Sequence, residues 1–116
     1  MKDSLIKLNK DFNLVEHTIE NAKQYIKDWK LEQEEEFIEF FSDYNLENVL
    51  PDDFSAVEFD VRRIGYDILL NQEDVEEIFV VLWLNIFDVE DNHETTICSY
   101  YCYYDMNGNI IDNYID

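Results

Sequence analysis

Two cysteines are the side chains best suited to nucleophilic chemistry, and their surroundings argue against that use. Cys98 and Cys102 lie four residues apart in TTICSYYCYY, a stretch whose composition predicts a β-strand. A thiol becomes reactive when a cation or a helix N-terminus lowers its pKa, whereas this part of the chain is strongly acidic. In a strand the two Cα atoms would be roughly 13 Å apart, too far for a disulfide. We therefore expect two free thiols on the face of the sheet that packs in the core.

A metal site is the second kind of chemistry to consider. The stretch DMNGNIID, residues 105–112, spaces its oxygen ligands like part of a calcium loop. An EF-hand requires Gly at position six and Glu at position twelve, whereas Gly108 stands fourth and Asp116 twelfth. A hairpin turn at Asn107-Gly108 explains the same residues. His17 and His93 have no His or Cys at zinc-ligand spacing, so no metal or other cofactor is predicted.

The distribution of charge is the strongest functional signal. The 116 residues carry a formal net charge of −20. Residues 1–30 hold all six lysines against five acids, whereas residues 31–116 hold two arginines against 23 acids. Such a surface repels nucleic acid and acidic membranes and attracts basic proteins. The acidity could also serve solubility alone, and carboxylate pairs for acid–base catalysis have no spacing that would identify them.

Carboxylates flank both ends of a very apolar segment, EEIFVVLWLNIFDVED, residues 76–91. Ten of the twelve residues in 78–89 are apolar. The following strand carries tyrosines on both faces, and tyrosine is favoured at protein interfaces. Each feature alone could be a solvated strand end or a core residue, and a further acidic group covers residues 32–39. Together they predict a partner-binding surface formed by Glu73, Asp74, Glu76, Glu77, Asp88, Glu90, Asp91, Tyr101 and Tyr103.

Helical spacing positions the first part of the chain. Asn13 and Glu16 predict an N-terminal capping box. Apolar residues then recur at intervals of three and four up to about Lys30, which predicts an amphipathic helix. Its predicted buried face consists of Val15, Ile19, Ala22, Ile26 and Trp29. Residues 33–41 continue this helix or form a second one.

Alternation with period two follows and predicts strands. Gly65 indicates either a bulge or a break between two short strands. The segment 78–89 predicts a central strand that is covered on both faces by the protein, or on one face by a partner. The predicted strands cover residues 57–61, 64–70, 78–89, 95–104 and 110–115.

The predicted fold class is α+β in a single domain, residues 1–116. N-terminal helices, about 13–43, pack on a curved antiparallel meander of about four strands, about 55–115. A cystatin- or NTF2-like fold is one version of this arrangement. No apolar run reaches the ~18 residues of a membrane span. Free thiols without a signal peptide predict a cytoplasmic location.

The acidic body and the ending CYYDMNGNIIDNYID resemble the small acidic immunity proteins of bacterial toxin–immunity pairs. The resemblance mainly covers residues 55–116. It implies a non-enzymatic inhibitor that binds a basic protein, a cognate nuclease-type toxin, in the cytoplasm. The surface charge, independently, predicts no direct contact with nucleic acid or membrane. The chain is expected to be a monomer or a homodimer. Two alternatives stay open: a phage nucleic-acid mimic of the anti-CRISPR or anti-restriction kind, and a small-ligand-binding or enzymatic α+β domain.

Overall fold

Helices come first and strands follow, as the change of period predicts. The computed structural model describes residues 13–69, 75–88, 90 and 92–116. Two helices in this part are α1, Leu14–Glu32, and α2, Glu34–Ser42. The strands are β1, Glu58–Leu69, β2, Val75–Asp88, β3, His93–Tyr104, and β4, Ile110–Ile115. All neighbouring strands are antiparallel in the order β1-β2-β3-β4, which confirms the α+β meander and the interior position of β2.

The buried face of α1 differs from the predicted one. Its fully buried residues are Leu14, Thr18, Ala22 and Ile26, whereas Val15, Ile19 and Trp29 are only half-buried. The face rotates because Thr18 is satisfied in the core. Its hydroxyl donates to the Leu14 carbonyl oxygen and lies 2.6 Å from the Tyr104 hydroxyl. Threonine is a polar residue, so the pattern of apolar residues did not assign Thr18 to the buried face. Its hydrogen bonds allow it to be buried there.

The start of α1 and the break between the helices have local causes. Asn13 occupies the N-cap position, but its side chain makes no capping hydrogen bond, so the predicted capping box is wrong. Gln33 interrupts the helices with φ −139° and ψ 61°. Its N–H still donates to the Trp29 carbonyl at 2.8 Å, and its own carbonyl accepts from Phe37 N–H at 3.0 Å. Residues 33–41 therefore form a second helix set against the first.

The inner face of the sheet is the core. Its paired positions on β2 and β3 are fully or almost fully buried: Ile78 with Tyr104, Val80 with Cys102, Leu82 with Tyr100, and Leu84 with Cys98. α1 lies over these strands, since Asn21 donates to the Tyr104 hydroxyl at 3.2 Å and the Tyr25 ring meets Tyr100 edge-on at 5.8 Å. The α2–β1 connection contributes Leu46, Leu50 and Val57 to the same core.

The irregularities of the sheet differ in part from those predicted. The register shift in β1 falls between Val61 and Arg63, so Gly65 is not the bulge, and β1 is one continuous strand. The β3–β4 turn lies where Asn107-Gly108 predicts it. Gly108 alone there has a positive φ, 83°, and Asp105 N–H donates to the Asn109 carbonyl at 2.8 Å. These bonds describe a three-residue hairpin loop with Gly in the left-handed position.

Neither helix in the described part of the chain is long and apolar enough to cross a bilayer.

Candidate protein-binding site

The register places three of the predicted binding residues on the face of the sheet opposite the helices. Glu77, Tyr101 and Tyr103 lie there because cross-strand partners share a face. We call this surface the outer face. Its members on the four strands are Asp60, Arg62, Arg63, Asp67, Glu77, Phe79, Val81, Trp83, Tyr101, Tyr103, Asp112 and Tyr114.

The outer face is covered largely by its own side chains. The Arg62 guanidinium lies 4.1 Å from the centroid of the Trp83 ring, and Arg63 lies 5.3 Å from that of Phe79. Tyr114 stacks on Tyr101 with centroids 4.8 Å apart. Beneath these groups Val81 is only 3 % exposed. The chain therefore covers the second apolar face of β2 with arginines and tyrosines, without a second layer of helices.

Gly65 makes this cover possible. It pairs with Phe79, and a Cβ at Gly65 would lie 1.9 Å from the far end of the Phe79 ring. The missing side chain lets the ring lie flat across β1, where Arg63 reaches it. Gly65 thus serves close packing of an aromatic ring, and the prediction of a bulge or a break at this position is wrong.

The tyrosines of the two faces are held in different ways. Tyr103 and Tyr114 hydroxyls are 3.5 Å apart, and this contact, with a smaller contribution from burial, raises the pKa of Tyr103 to about 12. Tyr100 and Tyr104 on the inner face have raised pKa values mainly because burial disfavours the phenolate. Tyrosines therefore serve both the core and the surface, as the spacing predicts.

Among the other predicted acids, Glu76, Asp88 and Glu90 are described, and they lie apart from these three residues. Glu76 belongs to the opposite face from Glu77, and its hydrogen bond to Tyr66 raises the pKa of that phenol. Asp88 ends β2 and Glu90 is exposed beyond it. Glu76 and Asp88 are twelve positions apart along β2, roughly 40 Å. Glu73, Asp74 and Asp91 lie outside the described residues.

A groove on the helix side of the sheet combines carboxylates with apolar surface. It lies between α1, α2 and β4, has a volume of about 930 Å³ and is half open to solvent. Its floor consists of Tyr25, Trp29, Phe40, Ile110 and Ile115. We call it the acidic groove, since six of its lining residues are carboxylates: Asp28, Glu32, Glu36, Glu39, Asp43 and Asp116.

The acidic groove exists because the inner face is covered unevenly. Over β1, the α2–β1 connection closes the core, with Phe54 and Phe59 centroids 5.8 Å apart. Over β4 nothing comparable lies in the described part of the chain, and Ile110 remains 47 % exposed. Trp29 is held at the floor by Phe40 and Phe41, both with ring centroids 5.4 Å away. The groove is thus built on packed elements and not on loops.

No basic side chain lines the acidic groove among the described residues. Of the five described lysines and arginines, Lys27 is exposed on α1 and the other four make ring contacts elsewhere. Lys23 stands over Phe54 and Phe59, Lys30 over Phe37, and both arginines are on the outer face. The carboxylates of the groove are therefore not neutralised from within. The acidic residues of the segment 32–39 are visible in the sequence. Their position beside Trp29 and β4 depends on the tertiary fold and could not be predicted.

The side chains considered for nucleophilic and metal chemistry have surroundings that can be described one by one. Burial raises the pKa of Cys98 to about 12, so its thiol is a poor nucleophile. In the described ranges no three His, Cys, Asp or Glu residues are placed to hold a metal. Asp105 accepts backbone N–H groups of Asn107 and Asn109 at 2.9 Å, which lowers its pKa and accounts for the calcium-like spacing. A carboxylate contact between Glu58 and Glu94 raises the pKa of Glu58, but both side chains are exposed.

Comparison with known proteins identifies no relative. No family model, no curated protein and no solved structure matches this chain. The resemblance to immunity proteins therefore stays a prediction, and functional inference depends on the two surfaces described above.

Proposed function

We propose that this protein is a non-enzymatic inhibitor that captures a basic protein in its acidic groove. The observation that carries the proposal is the lining of the groove: six carboxylates without a cation, around an aromatic and aliphatic floor. Such a combination supplies both parts of a strong interface. The floor offers apolar contact area, and the carboxylates offer charge complementarity.

The electrostatics favour rapid capture. Carboxylates concentrated along a concave surface steer a cationic partner during diffusional encounter, and salt screens this attraction. We expect the association rate to fall with ionic strength more than the dissociation rate rises. Burial of the floor then determines how long the complex lasts.

The target class follows from the same chemistry. A protein with an exposed basic patch, such as a nuclease that binds phosphates, is the natural complement of this groove. By its resemblance the chain would be an immunity protein, acting in the cytoplasm against a cognate toxin. Covering the basic patch of a nuclease would block its substrate without any catalytic group in the inhibitor.

The experiment is affinity capture followed by an inhibition assay. The tagged protein and two charge-reversed variants are exposed at low salt to extract of the native host. One variant, Glu32→Lys with Glu39→Lys, changes the groove, and the other, Glu76→Lys with Glu77→Lys, changes an end of β2. A captured basic protein is then purified, and its own activity is titrated with the inhibitor. We expect complete inhibition at a one-to-one ratio.

The paired variants separate the two candidate surfaces because both change the net charge by the same amount. Loss of inhibition in the groove variant alone supports the proposal. Equal losses in both would mean that net charge matters and the groove does not. If every protein captured by the wild-type protein is released at modest salt concentration, the acidity serves solubility and the proposal is wrong.

A further inference from the structure

The chemistry of the groove points to one kind of cation. We infer that the acidic groove recognises arginine side chains of its basic partner in preference to lysines. This inference rests on the proposed function and adds to it the residue type that is read. It is based on a comparison of the contacts that the arginines and lysines of this chain make with aromatic rings.

On the outer face, an aromatic ring and a carboxylate are already in contact with an arginine. The Arg62 guanidinium carbon lies 4.1 Å from the centroid of the Trp83 ring, and its Nη1 donates to Asp60 Oδ2 at 3.2 Å. One arginine therefore satisfies an indole and a carboxylate at once. A planar guanidinium can do so because it stacks through its face and donates from its edge.

Lysines in the same molecule approach rings less closely. The ammonium groups of Lys23 and Lys30 both stand 5.8 Å from their nearest ring centroids. An ammonium is compact and strongly hydrated, so it gains less from a ring that is only partly exposed. Among the described residues the closest cation–ring contacts are thus made by arginine.

The acidic groove repeats the components of the Arg62 site without its cation. Trp29 is half-buried at the floor, Phe40 lies beside it, and Asp28 and Glu32 belong to the same helix end. Arginine would satisfy both the rings and the carboxylates, whereas lysine would chiefly satisfy the carboxylates. The partner should accordingly present arginines at the centre of its basic patch.

The test compares two probes of equal charge, fluorescently labelled hexa-arginine and hexa-lysine, by anisotropy at constant ionic strength. We expect the arginine peptide to bind the wild-type protein at least about tenfold more tightly, the ratio that a desolvated cation–π contact can supply. Trp29→Leu should reduce this ratio towards one, mainly by weakening the arginine peptide. Trp83→Leu is the matched control and should leave the ratio unchanged, because its ring is already covered by Arg62.

Phe40→Leu provides a second test should Trp29→Leu lose its fold, which circular dichroism would show. Equal affinities for the two peptides overturn the inference but leave the proposed function standing. Failure of both peptides to bind counts against the proposed function as well. A preference that disappears in Trp83→Leu places recognition on the outer face and overturns the inference.

Discussion

The two sides of the sheet treat aromatic rings in opposite ways. On the outer face, Trp83 and Phe79 are covered by the two arginines of the chain. In the acidic groove, Trp29 and Phe40 stand among carboxylates and no basic side chain lines the site within the described residues. Both arginines of the chain cover rings on the outer face, and neither covers a ring of the groove.

This difference bears on why the chain is so acidic. If the charge served solubility alone, carboxylates would need only to be exposed and dispersed. In the groove they are concentrated on both helices and face β4, where they repel one another. Placing like charges close together costs free energy, and a partner that neutralises them recovers it. The comparison therefore favours the groove over the outer face as the binding surface.

The largest expected effect is a loss of folding stability at high pH. It should come mainly from groups buried on the inner face and less from groups on the outer face. Burial raises the pKa of Cys98 from 9.0 to about 12, so the unfolded chain releases this proton before the folded chain does. Stability from this group is complete below pH 9 and is lost as the pH rises to about 12. The loss amounts to at most about 1.4 kcal/mol per pH unit.

The measurement is urea unfolding at several pH values. Cys98→Ala should show a shallower decline above pH 9, whatever its stability at neutral pH. Tyr103→Phe, on the outer face, should alter the decline only above pH 10, the ordinary pKa of its phenol. If Cys98→Ala and the wild-type protein decline in parallel, Cys98 is not held in the core as described.

A smaller effect tests whether the acidic groove is maintained at the expense of stability. Glu32 ends α1 and Glu39 lies near the end of α2, where carboxylates oppose the helix dipole. Glu32→Gln with Glu39→Gln should raise the free energy of unfolding by about 1 kcal/mol at low salt, and by less at high salt. Urea unfolding at two ionic strengths measures it.

The matched control changes two acids at the opposite end of a helix. Glu34 and Glu35 lie in the first turn of α2, where negative charge is favourable. Glu34→Gln with Glu35→Gln removes the same charge and should leave stability equal or lower. Should both pairs stabilise equally, general charge repulsion explains the result and the groove is not special.

The sequence predicted the elements well because their signals are local. Periods of 3.6 and 2 located the helices and strands, and β4 was predicted with its observed bounds, Ile110–Ile115. The alternation in β3 correctly separated Cys98, Tyr100, Cys102 and Tyr104 from the tyrosines of the other face. A long periodic segment indicates which side chains share a face, because the backbone geometry of a helix or a strand fixes the direction of each successive side chain.

The surfaces were harder to predict because they depend on contacts between distant residues. Thr18 is buried beside Tyr104, which lies 86 positions further along the chain. Arg62 covers Trp83 through a register that no local pattern specifies. The acidic groove likewise needs β4 to lie beside α1 and α2. The aromatic and acidic residues were visible in the sequence, but their grouping into two unlike surfaces was not.

The smallest expected effect concerns the cover of the outer face. Arg62→Gln removes the guanidinium from Trp83 and breaks the ion pair with Asp60. Because the pair is partly exposed, most of the loss should come from the ring contact, about 0.5–1 kcal/mol. Urea unfolding would show this loss, and the fluorescence of Trp83 should shift as water reaches the indole. Arg63→Gln, whose guanidinium lies farther from its ring, should lose less.

The two arginine variants also test which surface binds. If cations cover the outer face for stability alone, Arg62→Gln lowers stability and leaves capture of a basic partner unchanged or slightly stronger. A variant of unchanged stability that binds the partner more weakly would assign Arg62 to the interface. The outer face would then be the surface left open for a partner, and the contrast with the acidic groove would have to be reversed.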